Sequence, residues 1–193
     1  MVKLDDKDVK IVNILQDDGR IPISSIGKML GVSHVAVLKR LKRIKDENIL
    51  KISALINPRV LELRFATIFG DVQDYDSLQA LLKTFEKCPR IIFLASMIAG
   101  YNFIAIVAAE DQDVLENVVS ICAIRNFKGI RRAEVYITST PTIPKYIPIK
   151  VTVERSLEDA PCGMKCGRCI AYIEDKCIGC PSTKYYKHEA AKL

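Results

Sequence analysis

The stretch ISSIGKMLGVSHVAVLKRLKRIKDENIL, residues 23–50, decides how the N-terminal part of this 193-residue chain is read. Ile26 to Leu30 fits a short helix that Ser24 or Ser25 could cap, and Gly31-Val32-Ser33 forms a tight turn. Ser33 is placed to cap a further helix, on which Val37, Leu41 and Ile44 fall at i, i+4 and i+7 and make one apolar stripe. Lys39, Arg40, Lys42 and Arg43 lie mostly off that stripe. Short helix, glycine turn and second helix are the parts of a helix-turn-helix, whose second helix lays its N-terminal residues in the DNA major groove. Ser33, His34, Ala36 and Lys39 are therefore expected to face base edges, and Arg40, Lys42 and Arg43 to meet phosphates. A merely solvated basic helix would explain the charge run, but not the turn, the cap, the stripe and the preceding helix together. Double-stranded DNA is the expected partner.

Upstream, Leu4, Val9, Val12 and Leu15 recur at helical spacing, Asp5, Asp6 and Asp8 suit a helix start, and Asp17-Asp18-Gly19 ends it. Downstream, residues 49–56 alternate loosely and are expected to form a short strand, the wing of a winged helix-turn-helix occupying residues 1–57. Residues 58–140 read strand, helix, strand, strand, helix, strand. Phe65 to Val72 is β-rich, and Leu78, Leu81, Leu82 and Phe85 mark a helix. Ile91–Ile98 and Phe103–Ala108 are apolar runs joined by Ala99-Gly100-Tyr101-Asn102. A helix with an acidic start over Asp111–Ile124 and a strand within Gly129–Thr140 complete a ferredoxin-like βαββαβ plan, so the fold class is α+β. Pro141, Pro144 and Pro148 punctuate an expected linker over 141–160, ahead of a cysteine-rich tail over 161–193.

Bulk properties exclude several classes. Apolar residues make up 49% of the chain, which argues against wholesale disorder, and the net charge of +6 suits a polyanionic partner. The N-terminal residues show no cationic leader followed by an apolar run. The apolar stretch 91–109 is interrupted by Ser96, Gly100, Tyr101 and Asn102 and does not read as a membrane span. A cytoplasmic protein is expected.

Of seven cysteines, Cys88 and Cys122 sit within apolar segments and read as buried thiols. Cys162, Cys166, Cys169, Cys177 and Cys180 crowd into the tail, where two Cys-x-x-Cys pairs stand seven residues apart. Two such pairs supply the four soft ligands of a tetrahedral Zn²⁺ site. Zinc on Cys166, Cys169, Cys177 and Cys180 is the first expectation, with Cys162 a spare or substitute ligand, His188 a weaker candidate, and Gly167 and Gly179 easing the turns. An iron–sulfur cluster and disulfides are the rivals: the spacing departs from the bacterial ferredoxin run, and five cysteines leave one unpaired. Lys165, Arg168 and Lys176 nearby leave open a metal- or redox-sensing role beside a structural one.

The chain resembles the Lrp/AsnC (feast/famine) family of transcriptional regulators over roughly residues 3 to 140. The resemblance rests on Leu4-Asp5-x-x-Asp8, Gly31-Val32-Ser33, Val37, Arg40, Leu41, Ile44, Asn48-Ile49-Leu50 and Asn57-Pro58. Asn48 stands where the family usually has glycine, and both residues tolerate the left-handed conformation that ends a helix. The resemblance implies a sequence-specific DNA-binding regulator that dimerises through its sheets and assembles as far as octamers. It also implies an effector turn at Ala99, Gly100, Tyr101 and Asn102. The acid usual at the end of that turn is here the amide Asn102, and Ala133 and Val135 on the last strand offer no hydroxyl, so weak or absent binding of free amino acids is expected. Siroheme decarboxylases resemble the same two-domain architecture, but Leu63-Arg64-Phe65 lacks their histidine, and only His34 and His188 occur in the chain. The expectation is a non-enzyme; an oligomeric scaffold that does not bind DNA is the remaining alternative.

Overall fold

The computed structural model describes residues 3–98, 100–122, 124–151 and 155–187. The chain divides into two compact units, Met1–Ala54 and Leu55–Leu193. The division falls slightly before the expected boundary at 57, and the tail belongs to the second unit instead of forming a separate body.

The first unit holds α1 (Asp6–Asp17), α2 (Ile23–Leu30) and α3 (His34–Asp46). At the start of α1 the Asp5 carboxylate accepts from the N–H groups of Lys7 and Asp8, and the Asp8 carboxylate accepts from the Asp5 N–H, a reciprocal capping box. The buried face of α1 is Asp8, Ile11 and Leu15. Of the expected stripe Leu4, Val9, Val12 and Leu15, only Leu15 is on that face: Val9 is 53% exposed, because the helix is rotated to turn Asp8 inward. Ile11 and Leu15 pack with Ile26, Val37 and Leu41. Pro22, not a serine, occupies the N-cap of α2, so Ser24 and Ser25 lie inside its first turn. Gly31 closes α2 in the left-handed region at φ 63°, and Ser33 caps α3 by accepting from the Ala36 N–H at 3.1 Å. Asn48 takes φ 56° after α3, the conformation expected of it.

No strand forms over 49–55. Ile49, Ile52 and Leu55 are exposed, and a strand persists only with a partner for its backbone groups. Ile56, in the second unit, makes only an isolated antiparallel bridge with Ile147, through two 2.9 Å hydrogen bonds.

The second unit follows the expected order: β1 (Arg64–Val72), α4 (Tyr75–Phe85), β2 (Ile91–Ser96), β3 (Phe103–Ala109), α5 (Gln112–Ser120) and β4 (Ile130–Thr138). The strands form one antiparallel sheet in the order β2-β3-β1-β4. Asp74 and Asp111 cap the two helices, accepting from Ser77 and Val114 N–H groups at 2.7 and 2.8 Å. Alternation along the strands assigns the faces. Ala66, Ile68, Ala105 and Val107 meet Leu78, Leu81 and Phe85 of α4 and Val114, Leu115 and Val118 of α5. On the opposite face, Phe65 and Ala108 pack with Leu63 and Ile147, and Ile149 lies against them. The segment expected to be a linker is thus fastened to the sheet by its own apolar residues, Ile147 and Ile149. Among the described residues, no helix is long and apolar enough to cross a membrane.

The tail contains a 3-10 turn at Cys166–Arg168 and a short α6 (Ile170–Ile173). It is held by a buried ion pair between Arg90 and Glu110, whose side chains are 7% and 4% exposed. Arg90 also donates to the Gly179 carbonyl at 2.8 Å, the Tyr186 hydroxyl donates to Glu110, and Asn117 donates to the Lys176 carbonyl at 2.6 Å. Removing one partner of a buried pair leaves the other charge uncompensated. Arg90→Ala is expected to lower the stability of the second unit by about 3 kcal/mol. It should also accelerate amide exchange in the tail before that in β1 and β3, as read by hydrogen-exchange mass spectrometry.

Candidate nucleic-acid interface and cysteine cluster

The helix-turn-helix brings the expected DNA-facing residues onto α3 and its cap. Ser33, His34, Lys39 and Lys42 are exposed, and Ala36 is half-buried. Neither Lys39 nor Lys42 has an ion-pair partner among the described residues. Sequence reading passed over Val35, 71% exposed, and Leu38, also exposed, which lie on this same helix and are apolar. Exposed apolar side chains on a recognition helix suit contact with thymine methyl groups. The signal was present in the sequence: both fall outside the Val37, Leu41, Ile44 stripe.

Arg40 and Arg43, expected to meet phosphates, are both held in ion pairs. Arg40 pairs with Asp5 at 2.6 Å and with Asp8 at 2.8 Å; Arg43 pairs with the fully buried Asp8 and lies 3.8 Å from Glu47. Both guanidinium groups tie α3 to the start of α1. Burial pushes the Asp8 carboxyl up, but the Asp5 N–H and the two arginines outweigh it and hold the group below its ordinary value. Asp5 is lowered as well, first by the Asp8 backbone contact and then by Arg40.

At the expected effector turn, Ala99 lies outside the described residues and Gly100 is exposed. The Asn102 side chain is fully engaged with the edge of β1. Its Oδ1 accepts from the Val72 N–H at 3.0 Å and its Nδ2 donates to the Val72 carbonyl at 2.8 Å. Only an amide supplies both a donor and an acceptor here, which gives a structural reason for the missing acid. Ala133 and Val135 are aligned with Gly70 and Ile68 and so face the helices. The polar residues beside Tyr101 are Arg132, Glu134 and Tyr136, which sequence reading missed by one position in strand register. Arg132 lies over the Tyr101 ring at 4.6 Å, and Glu134 accepts from Arg132 at 2.6 Å and from Tyr136 at 2.8 Å. Tyr101, Tyr136 and Arg132 together pull the Glu134 carboxyl down to about 2.

All seven cysteines line one apolar cavity of about 50 Å³, and none is in a disulfide. The five tail cysteines therefore meet Cys88, which follows α4, and Cys122, which follows α5. Among the described residues, no three Cys, His, Asp or Glu side chains converge on a point that one metal ion could occupy. The quartet expected for zinc is gathered around the cavity but not onto a tetrahedron; His188 lies outside the described residues. Burial raises the thiols of Cys88 and Cys166 and pushes Cys180 up to about 12, whereas a hydrogen bond with Cys122 lowers Cys162. Gly179 permits the Cys177–Cys180 turn: it takes φ 88°, and a Cβ there would stand 2.6 Å from the Tyr185 carbonyl oxygen.

The chain thus joins a helix-turn-helix unit to a βαββαβ unit. The AsnC-type helix-turn-helix domain model matches residues 4–45. The HTH-type transcriptional regulator LrpA of Pyrococcus abyssi is 32% identical over 121 residues, 61% of this chain and 84% of that protein. The HTH-type transcriptional regulator FL11 of Pyrococcus furiosus is 29% identical over 118 residues, 59% of this chain and 76% of the relative. The structure of E. coli AsnC superposes with a TM-score of 0.64 at 19% identity, covering 96% of AsnC but 74% of this chain, so this chain carries residues without a counterpart there. The chain belongs to the Lrp/AsnC family and is a DNA-binding transcriptional regulator.

The Asp8 clamp yields a pH dependence. A carboxyl whose folded value lies below its ordinary 3.8 stabilises the fold fully above that value and loses the contribution as the pH falls through and below it. Acid unfolding of the first unit should therefore set in below the ordinary aspartate value. Asp8→Ala is expected to destabilise that unit by roughly 2 kcal/mol, less than for a wholly buried pair because the arginines are partly solvated. Thermal melts across the acid range check both outcomes. A melting temperature independent of Asp8 would remove the clamp from the account.

Proposed function

We propose that this regulator reads DNA with Ser33, His34, Val35, Ala36, Leu38 and Lys39, and that Lys42 contacts phosphate. The observation that carries the reading is the division of labour on α3. Arg40 and Arg43 are spent on Asp5 and Asp8, while Lys39, Lys42 and the apolar Val35 and Leu38 remain on the exposed side. The protein acts as a non-enzymatic, cytoplasmic regulator. It self-associates through the sheet face that the helices leave uncovered, where Phe93 and Tyr136 are about half exposed. A dimer presents two reading helices to half-sites one helical turn apart. Free amino acids are not the effector on this reading, because the polar groups of Asn102 are already committed to Val72. The cysteine cavity instead makes DNA binding responsive to a thiophilic metal or to oxidation.

Two binding experiments test this reading. Lys42→Ala is expected to weaken binding about equally on all sequences and to reduce the salt slope by about one unit. Val35→Ala is expected to relax preference at one base step by about 1 kcal/mol, as read by selection from a random DNA pool. Identical DNA affinities for metal-loaded, metal-stripped and oxidised protein would sink the responsive role of the cavity.

A further inference from the structure

The wall that the cysteines share is apolar between its sulfurs. Val118, Ile121, Ala160, Met164 and Ala171 complete the lining of the cavity of about 50 Å³, and none of the seven cysteines is exposed. The polar side chains of Asn117 and Arg90 also border it, and both are committed elsewhere. The Asn117 Nδ2 donates to the carbonyls of Asp113 and Lys176 at 2.8 and 2.6 Å, and the Arg90 guanidinium is held by Glu110 and the Gly179 carbonyl. Among the described residues, no buried side-chain nitrogen or oxygen lacks a hydrogen-bond partner. The cavity is large enough for water-sized guests but offers water or a charged group few partners, so it favours an uncharged, apolar guest.

Sulfur decides which apolar guest. Thiols are soft and, once deprotonated, nucleophilic; among the described residues no three ligating side chains converge, so each sulfur is available singly. A lone soft nucleophile in an apolar wall is suited to one covalent bond with a soft electrophilic carbon small enough to enter. We infer that this cavity is a modification site for small, uncharged alkylating electrophiles. The thiol gives its proton to water, and the S–C bond forms as the bond between that carbon and its leaving group breaks. The leaving group departs with the bonding pair. A charged electrophile of similar size is kept out because nothing in the wall compensates its desolvation. The inference names the class of molecule the cavity takes, and it rests on the responsive reading of the cavity for any consequence at the DNA. An added carbon group crowds a packed space between Ala171 of α6 and Val118 of α5, and Val118 also belongs to the core under the sheet.

The test compares iodomethane with iodoacetate on the full chain as purified under reducing conditions. Each reagent's rate at the cysteines, read by peptide mass mapping, is divided by its rate on the same chain unfolded in denaturant, which removes differences in intrinsic reactivity. The resulting ratio is expected to be about tenfold or more higher for iodomethane. Equal ratios, or a higher one for iodoacetate, would overturn the inference. Ala171→Leu, which fills part of the cavity, is expected to slow the iodomethane reaction about fivefold, with circular dichroism verifying the fold. An unchanged rate in the folded variant would rule out the cavity as the route; the comparison of the two reagents needs no variant. DNA affinity of the methylated chain separates this inference from the reading it rests on. Selective methylation that leaves the affinity unchanged would sink the responsive role and keep the site, whereas loss of selectivity defeats the site whatever the affinity.

Discussion

The second unit depends on one buried ion pair. Arg90 opens the approach to β2, Glu110 follows the end of β3, and the tail supplies the third partner, the Gly179 carbonyl. Burial disfavours the charged guanidinium; the Glu110 charge beside it outweighs that and raises the Arg90 pKa above its ordinary value. A pair of this kind adds little net stability relative to a well-packed apolar substitute, but it tolerates no mismatch, because either partner left alone is a buried charge. The tail therefore has one seat. Gly179 must hold a positive φ for its carbonyl to reach Arg90, and that turn fixes where Cys177 and Cys180 enter the cavity. The place of the cysteines is thus set by charge and backbone conformation, which explains how sulfurs distant in sequence come to share one cavity.

The first unit uses the same device at smaller scale. Asp8 is fully buried and answers two arginines of α3 while completing the cap of α1. One carboxylate thereby fixes helix start, helix rotation and helix–helix register together. The rotation leaves Val9 in solvent, and the pairing takes Arg40 and Arg43 out of the pool of free cations on α3. Cations held in ion pairs are poor phosphate contacts, since releasing them costs the pair, which is why the proposed reading gives that role to the solvated Lys42.

Much of this was legible in the sequence because it is local. The Ser33 cap, the Val37, Leu41, Ile44 stripe, the turn at Gly31 and the βαββαβ order each follow from spacings of a few residues. What the sequence did not announce shares a different cause. Arg40 and Arg43 find Asp8 across 32 and 35 positions, Asn102 finds Val72 across 30, and Arg90 finds Gly179 across 89. No periodicity encodes such pairings. Cys88 and Cys122 read as small hydrophobes for the same reason: nothing near them in sequence announces the tail. The strand expected at 49–56 failed because alternation alone does not make a strand; without a neighbour its backbone groups turn to water.

The placement of the cavity also bears on how a signal could reach the DNA-binding state. A bound group shifts a conformational equilibrium only if its states hold that group differently. A ligand confined to a free tail would distinguish only states of the tail. Here Cys88 follows α4 and Cys122 follows α5, the two helices that cover the sheet, and Val118 of α5 lies both in the core and on the cavity wall. Filling, emptying or oxidising the cavity must therefore act on the helical layer of the sheet whose other face is proposed to pair with a second copy. Since binding to two half-sites requires the dimer, the self-association equilibrium is the shared quantity through which cysteine chemistry and DNA affinity would be coupled, with no contact between the cysteines and DNA required.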